Sequence, residues 1–206
     1  MSEESELIKQ RRIKLDAIRN RGIYAYGGRF DTTSSVKSLT DNFAEGKKVV
    51  LAGRLMACRE HGKAKFYDLK DSTGKIQLYV KADIVGEAGF ELSNNTDIGD
   101  FIGVKGETFK TRTGEPSIKA TELAMLSKSV RPLPEKWHGL KDVETRYRQR
   151  YVDLVMNDDV KKVFIARTKV VSGIRSFLDN AGFLEVETPM MQSIPGGAAG
   201  KPFKTH

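Results

Sequence analysis

Cysteine is almost absent from the sequence: Cys58 is the only one in 206 residues. An internal disulfide framework is therefore impossible, no zinc site can be built on thiolates, and a reducing compartment fits. Histidine is scarce too. The three residues, His61, His138 and His206, have no metal-ligand spacing. No apolar run approaches the roughly 20 residues that a membrane span requires. The opening residues, Met1 to Arg12, lack the apolar core of a secretory signal. The expected location is the cytoplasm. Internal repeats and low-complexity runs are also missing.

What is present is charge. Hydrophobic residues make up 39% of the chain, enough for ordinary cores, and charged residues make up 30%. The formal net charge is +8 and the pI about 9.5. A basic balance of this size fits either a merely basic surface or a polyanionic partner, of which nucleic acid is the commonest.

The expected fold class is α+β, in four pieces. Residues 1–46 are a helix and a lead-in. The helix runs from about Glu3 to Arg21, with Ser2 or Ser5 as possible caps and Gly22 as a stop. Leu7, Ile8, Leu15 and Ile18 fall near one face, and Lys9, Arg11, Arg12, Lys14, Arg19 and Arg21 cover the rest. That basic surface either meets water or lies along phosphates. Residues 47–128 read as five strands and one helix. The strands are Val49–Cys58, Lys63–Lys70, Lys75–Lys81, Asp100–Arg112 and Pro116–Leu126, with Ala82–Ser93 helical at least in part. Strand-strand-strand-helix-strand-strand in about 80 residues is the order of the OB-fold, a small barrel that binds oligonucleotides. Residues 129–141 form a linker whose Pro132 and Pro134 deny a helix. Residues 142–206 begin a second domain.

The first hairpin can be resolved further. If the turn Asp71–Gly74 sets the register, Lys70 faces Lys75, Asp68 faces Gln77 and Phe66 faces Tyr79. Tyr67, Leu69, Ile76, Leu78 and Val80 then share one face, suited to a barrel interior. Phe66, Asp68, Gln77, Tyr79 and Lys75 share the other. Aromatic rings beside an amide and a lysine suit the stacking of a base and hydrogen bonding to its edge. The plainer alternative is that Phe66 packs under a loop.

In the second domain, Asp142–Met156 is expected as one helix, with Val143, Tyr147, Tyr151 and Leu154 on one side. A longer helix follows, in which Val160, Val163, Phe164, Arg167, Val170, Val171, Ile174, Phe177 and Leu178 keep helical spacing. Asn157 is its expected N-cap and Gly182 its stop. A short strand, Phe183–Val186, is expected next. One strand and two helices cannot cover the long helix's apolar face, which calls for further residues or another subunit.

Lys161 to Met191 resembles the first signature motif of class II aminoacyl-tRNA synthetases: a long helix, then Gly182-Phe-Leu-Glu-Val-Glu-Thr-Pro189-Met-Met. An OB barrel ahead of this motif is similar to the aspartyl, asparaginyl and lysyl subgroup. Arg131–Leu140, Tyr147–Leu154 and Ile194–Phe203 resemble the lysyl branch, and the likeness covers the chain from about Arg11 onward. It implies a ligase that uses ATP and magnesium to attach lysine to tRNA(Lys), acting as a homodimer. It implies that the barrel reads the anticodon, whose central base is uridine, through Arg59, Phe66, Gln77 and Glu115. It places Gly182 and Pro189 in the dimer interface and Gly196 against the substrate's amino group. The second and third motifs, with the ATP and magnesium ligands, do not occur before His206. The expectation is thus a fragment with no catalytic or metal-binding residue of its own, inactive alone. A non-catalytic anticodon-binding paralogue is the alternative, and an aspartyl or asparaginyl member a further one.

Overall fold

A computed structural model describes residues 6–134, 140 and 142–190. It divides the chain into two compact units, Met1–Pro134 and Glu135–His206.

In the first unit, β1 (Lys48–His61), β2 (Ala64–Lys70), β3 (Lys75–Lys81), β4 (Phe101–Lys110) and β5 (Pro116–Ser127) close a barrel in the order β1-β2-β3-β5-β4. The helix α3 (Ala82–Asn94) lies between β3 and β4 in sequence, as expected of an OB-fold. Among the described residues the only parallel pairing is β3 with β5, over Gln77↔Ser117, Leu78↔Ile118 and Tyr79↔Lys119. The hairpin register is as read from the turn: Lys70↔Lys75, Asp68↔Gln77 and Phe66↔Tyr79. Alternation then sends Tyr67, Leu69, Ile76, Leu78 and Val80 inward, where none is more than 3% exposed. Each such side chain contributes about 1.5–3 kcal/mol on burial.

Two helices outside the strands complete this unit. The helix α1 (Glu6–Asn20) buries Leu15 and Ile18 against Ala25, Leu92 and Met125. Leu7, expected on that face, is exposed. The helix α2 (Val36–Asp41) was not anticipated. Its Val36 and Leu39, both under 2% exposed, join the barrel core. The Ser35 hydroxyl accepts from the Ser38 N–H at 3.2 Å, and the Asp71 carboxylate accepts from the Val36 N–H at 2.8 Å. The same carboxylate accepts from the Thr73 and Gly74 N–H groups, so the β2–β3 turn and the start of α2 share one anchor. Burial pushes Asp71 up, but the hydrogen bonds from Val36, Thr73 and Gly74 outweigh it and leave its pKa lowered.

A buried ionic cluster ties α1 to the barrel. Lys128, whose side chain is fully buried, donates to Asp97 at 2.6 Å and to Asp100 at 2.8 Å. Lys14 of α1 reaches the other Asp97 oxygen at 2.6 Å. Arg11 donates to the backbone carbonyls of Ile98, Ser129 and Arg131. Two of the five basic side chains on α1 are thereby committed to holding the helix in place.

The second unit holds α4 (Val143–Arg148), α5 (Arg150–Met156) and α6 (Asp158–Asn180). The single helix expected over Asp142–Met156 is broken at Gln149, which sits at φ −114 and ψ 53. An unbroken helix would stack the like charges of Arg146 and Arg150 at i,i+4 spacing. Both instead converge on the buried Asp153 carboxylate. Asn157 takes the N-cap position of α6 without capping it, because its amide donates to Asp153 at 2.6 Å. Gly182, at φ +85, stops α6 as expected: its N–H bonds Asp179 and the Phe183 N–H bonds Leu178, a Schellman motif. Gly22 ends α1 through the same pair of bonds, to Arg19 and from Ile23 to Ile18. No strand forms over Phe183–Val186. That segment has no ladder partner among the described residues, and a strand exists only as part of a ladder. None of the side chains of α6 is buried.

Candidate nucleic-acid interface

One outward face of the barrel gathers the sequence-expected residues. Arg59 of β1 lies opposite Phe66 on β2, Phe66 lies opposite Tyr79 on β3, and Gln77, two residues along β3 on the same face, lies beside Ser117 of β5. Glu115 arrives from the β4–β5 turn and accepts a hydrogen bond from Gln77 Nε2 at 3.0 Å. All four anticipated residues are thus neighbours on one surface, contributed by three strands and a turn.

Aromatic rings cross this face in a row. His61 meets Phe66 edge-on at 6.0 Å between centroids, Phe66 meets Tyr79 at 5.1 Å, and Tyr79 meets Phe109 of β4 at 5.9 Å. Phe66, Tyr79 and Phe109 are each half-buried, so ring surface remains open to a stacked base. Phe66 is flanked by the rings of His61 and Tyr79.

The polar members are less open than simple alternation suggests. Asp68 and Gln77 are 6% and 7% exposed. Asp68 is covered by two cations: Arg59 donates to one carboxylate oxygen at 3.0 Å and Lys75 to the other at 2.9 Å. Burial pushes the Asp68 carboxyl up, but Lys75 and then Arg59 outweigh it, so its pKa is lowered and the group stays ionised. One anion beneath two cations leaves a net positive rim, suited to phosphate. Gln77 is held at both ends, since Ser117 Oγ, fully buried, donates to Gln77 Oε1 at 3.0 Å. Lys119 is half-exposed beside Tyr79.

Sequence reasoning missed Ser117, Phe109 and His61. Ser117 and Phe109 reach the face through pairings of β5 with β3 and β4, which no local register reveals. His61 stands at the end of β1, where its link to Phe66 follows from the β1–β2 register.

The remaining anticipated positions lie elsewhere. Gly182 follows α6, and Pro189 is in the irregular segment after it. Gly196 lies outside the described residues. So do Ser2 and Ser5, Glu135–Gly139 of the linker, and the tail from Met191. Among the described residues no three His, Cys, Asp or Glu side chains group as a metal site. No described helix is long and apolar enough to cross a membrane.

Comparison with known proteins assigns each half. The family described as OB-fold nucleic acid binding domain matches residues 49–126, and that described as tRNA synthetases class II (D, K and N) matches residues 142–206. A lysine–tRNA ligase of Pelotomaculum thermopropionicum is 56% identical over 204 residues, covering 98% of the chain and 40% of the relative. One from Moorella thermoacetica is 54% identical over 205 residues, covering 98% and 42%. One from Thermoanaerobacter pseudethanolicus is 56% identical over 208 residues, covering 99% and 42%. The chain therefore spans about two-fifths of the length of these relatives. Both halves are thus matched in this order: residues 142–206 are similar to the class II (D, K and N) tRNA synthetases, and residues 49–126, ahead of them, to the OB-fold nucleic acid binding domain.

Proposed function

We propose that the barrel reads the anticodon of tRNA(Lys) in a lysine–tRNA ligase. The observation that carries this reading is the convergence of Arg59, Phe66, Gln77 and Glu115 on one face, beside open aromatic rings. Phe66 stacks on the central uridine, and the Gln77 amide reads its edge. Arg59 and Lys75, offset by Asp68, meet the backbone phosphates. The Glu115 carboxylate holds the polar side of the site. The full enzyme would activate lysine with ATP and transfer it to the tRNA terminus in the cytoplasm. ATP and magnesium binding is assigned to the part of the relatives' length that this chain does not span. The exposed apolar face of α6, with Gly182 and Pro189, would meet the same face of a second copy in a homodimer. Gly196 would approach the amino group of the substrate lysine, where the lack of a side chain permits close backbone contact.

The test is binding of anticodon stem-loop RNAs to the 206-residue chain. A lysine stem-loop binds more tightly than an aspartate one, and Phe66→Ala or Gln77→Ala each weakens it by about 1–3 kcal/mol, the range for a lost stack or edge contact. Unchanged affinity in both variants, or preference for the aspartate RNA, overturns the reading.

A further inference from the structure

We infer that Glu115 is a positioning residue that fixes which end of the Gln77 amide faces the base, and so converts Gln77 from a side chain able to pair with any pyrimidine into one that selects uridine over cytidine. The inference rests on the anticodon-reading proposal above.

A glutamine amide is a donor at one end and an acceptor at the other, and rotating it by half a turn exchanges them. Nothing in the side chain itself prefers either state. The surroundings of Gln77 do. Glu115 Oε2 lies 3.0 Å from one end of the amide. An ionised carboxylate has lone pairs only, so the amide end facing it must be the NH2 group. The opposite end, Oε1, meets Ser117 Oγ at 3.0 Å. A hydroxyl can donate or accept, so Ser117 follows the amide rather than directing it. Of the two neighbours, Glu115 alone imposes a direction.

Glu115 is itself held firmly for a turn residue. Its N–H donates to Thr111 Oγ1 at 3.0 Å, and its carbonyl accepts from the Thr111 N–H at 3.1 Å. The carboxylate is therefore presented from a closed loop.

With those bonds made, Gln77 retains one N–H and one oxygen lone pair for a ligand. Uridine presents an N–H beside a carbonyl oxygen. Cytidine presents a bare ring nitrogen beside an amino group, the reverse order along the same edge. Phe66 lies one rung from Gln77 on the same face and sets the plane of a stacked base. Once the base is held in that plane, a locked amide matches one order only. A free amide matches both.

The experiment compares lysine anticodon stem-loops carrying uridine or cytidine at the central position, binding to the wild-type chain, Glu115→Gln and Phe66→Ala. Wild type prefers uridine by about tenfold or more. Glu115→Gln keeps the size of the side chain, but its amide can both donate and accept. The preference collapses to within about threefold, mainly through tighter binding of the cytidine RNA. Loss of a negative charge near RNA raises affinity for both probes alike, so the ratio is the readout. Glu115 is exposed, so the variant keeps the wild-type circular dichroism spectrum. If Glu115→Gln binds both RNAs more tightly with an unchanged ratio, Glu115 is only a repulsive charge and the inference is overturned. Phe66→Ala separates the two levels. Its failure to weaken either RNA sinks the anticodon-reading proposal itself, whereas weakened binding in Phe66→Ala with an unchanged ratio in Glu115→Gln sinks only the positioning role.

Discussion

At the scale of single residues, the polar side chains under the barrel surface carry as much constraint as the apolar ones. Lys128 is the strongest case. Its ammonium is fully buried between Asp97 and Asp100, and Asp100 also accepts from the N–H groups of Asp97 and Ser129, each at 2.7 Å. Removing one partner of a buried ionic group leaves the others charged and uncompensated, at about 3–5 kcal/mol. Lys128→Met, which keeps the stem and deletes the charge, should lower the stability of the barrel by that amount in urea unfolding. A loss under about 1 kcal/mol would mean that water already solvates the cluster. None of this was legible in the sequence, because Asp97, Asp100 and Lys128 meet only through the fold. Phe66 and Gln77 were legible, because a four-residue turn and strict alternation dictate which side chains share a face. Asp68 shows the limit of that logic. Alternation places it outward, but its cover by Arg59 and Lys75 depends on side-chain reach from two other positions.

At the scale of elements, the strands were read to within a few residues, because they alternate between core and surface and the turns Asp71–Gly74 and Thr113–Glu115 mark two of the joins. The short helix α2 escaped notice: six residues are too few to show a period, and only Ser35 marks its start. The break at Gln149 carries no Gly or Pro, and the charges that favour it act through Asp153 one turn further on. The segment Phe183–Val186 has strand-forming residues but no described partner. The attachment of α1 also belongs at this scale. Its apolar contact is small, with Leu15 and Ile18 its buried residues, and Arg11 supplements it by bonding three carbonyls of the barrel side. Bonds from a charged donor contribute about 1.5–3 kcal/mol net. Arg11→Ala should therefore loosen the helix before the barrel. Hydrogen exchange at the α1 amides should speed up by roughly tenfold or more while the β1–β3 amides keep their protection. Uniform acceleration across both would place Arg11 in the global unfolding unit instead.

At the scale of the whole molecule, the two units differ in how much of their stability is internal. Both hydrophobic clusters, the barrel core and the one under α1, lie within Met1–Pro134. That unit also holds carboxylates whose titration links its stability to pH. Asp68, Asp71 and Asp97 all have lowered pKa values. In each, burial acts upward and is outweighed, by Lys75 and Arg59 at Asp68, by hydrogen bonds from the Val36, Thr73 and Gly74 backbone at Asp71, and by Lys128 and Lys14 at Asp97. A carboxyl whose folded pKa lies below its unfolded value of about 3.9 adds stability that is complete above that value and is lost as pH falls through the folded pKa. Asp100 runs the other way: burial pushes it up against the pull of Lys128, so it opposes the loss. Three groups against one give net acid destabilisation. A chain ending at Pro134 should unfold in urea as one cooperative transition by circular dichroism, with a midpoint nearly constant from pH 7 to 5 and falling from about pH 4 downward. Asp97→Asn removes one of the three contributions and should flatten that fall while lowering the plateau at neutral pH. A midpoint that stays level between pH 5 and 2.5 would show that these ion pairs do not survive in solution as drawn, and the placement of Arg59 and Lys75 beside Phe66, which rests on their bonds to an ionised Asp68, would have to be redrawn with it.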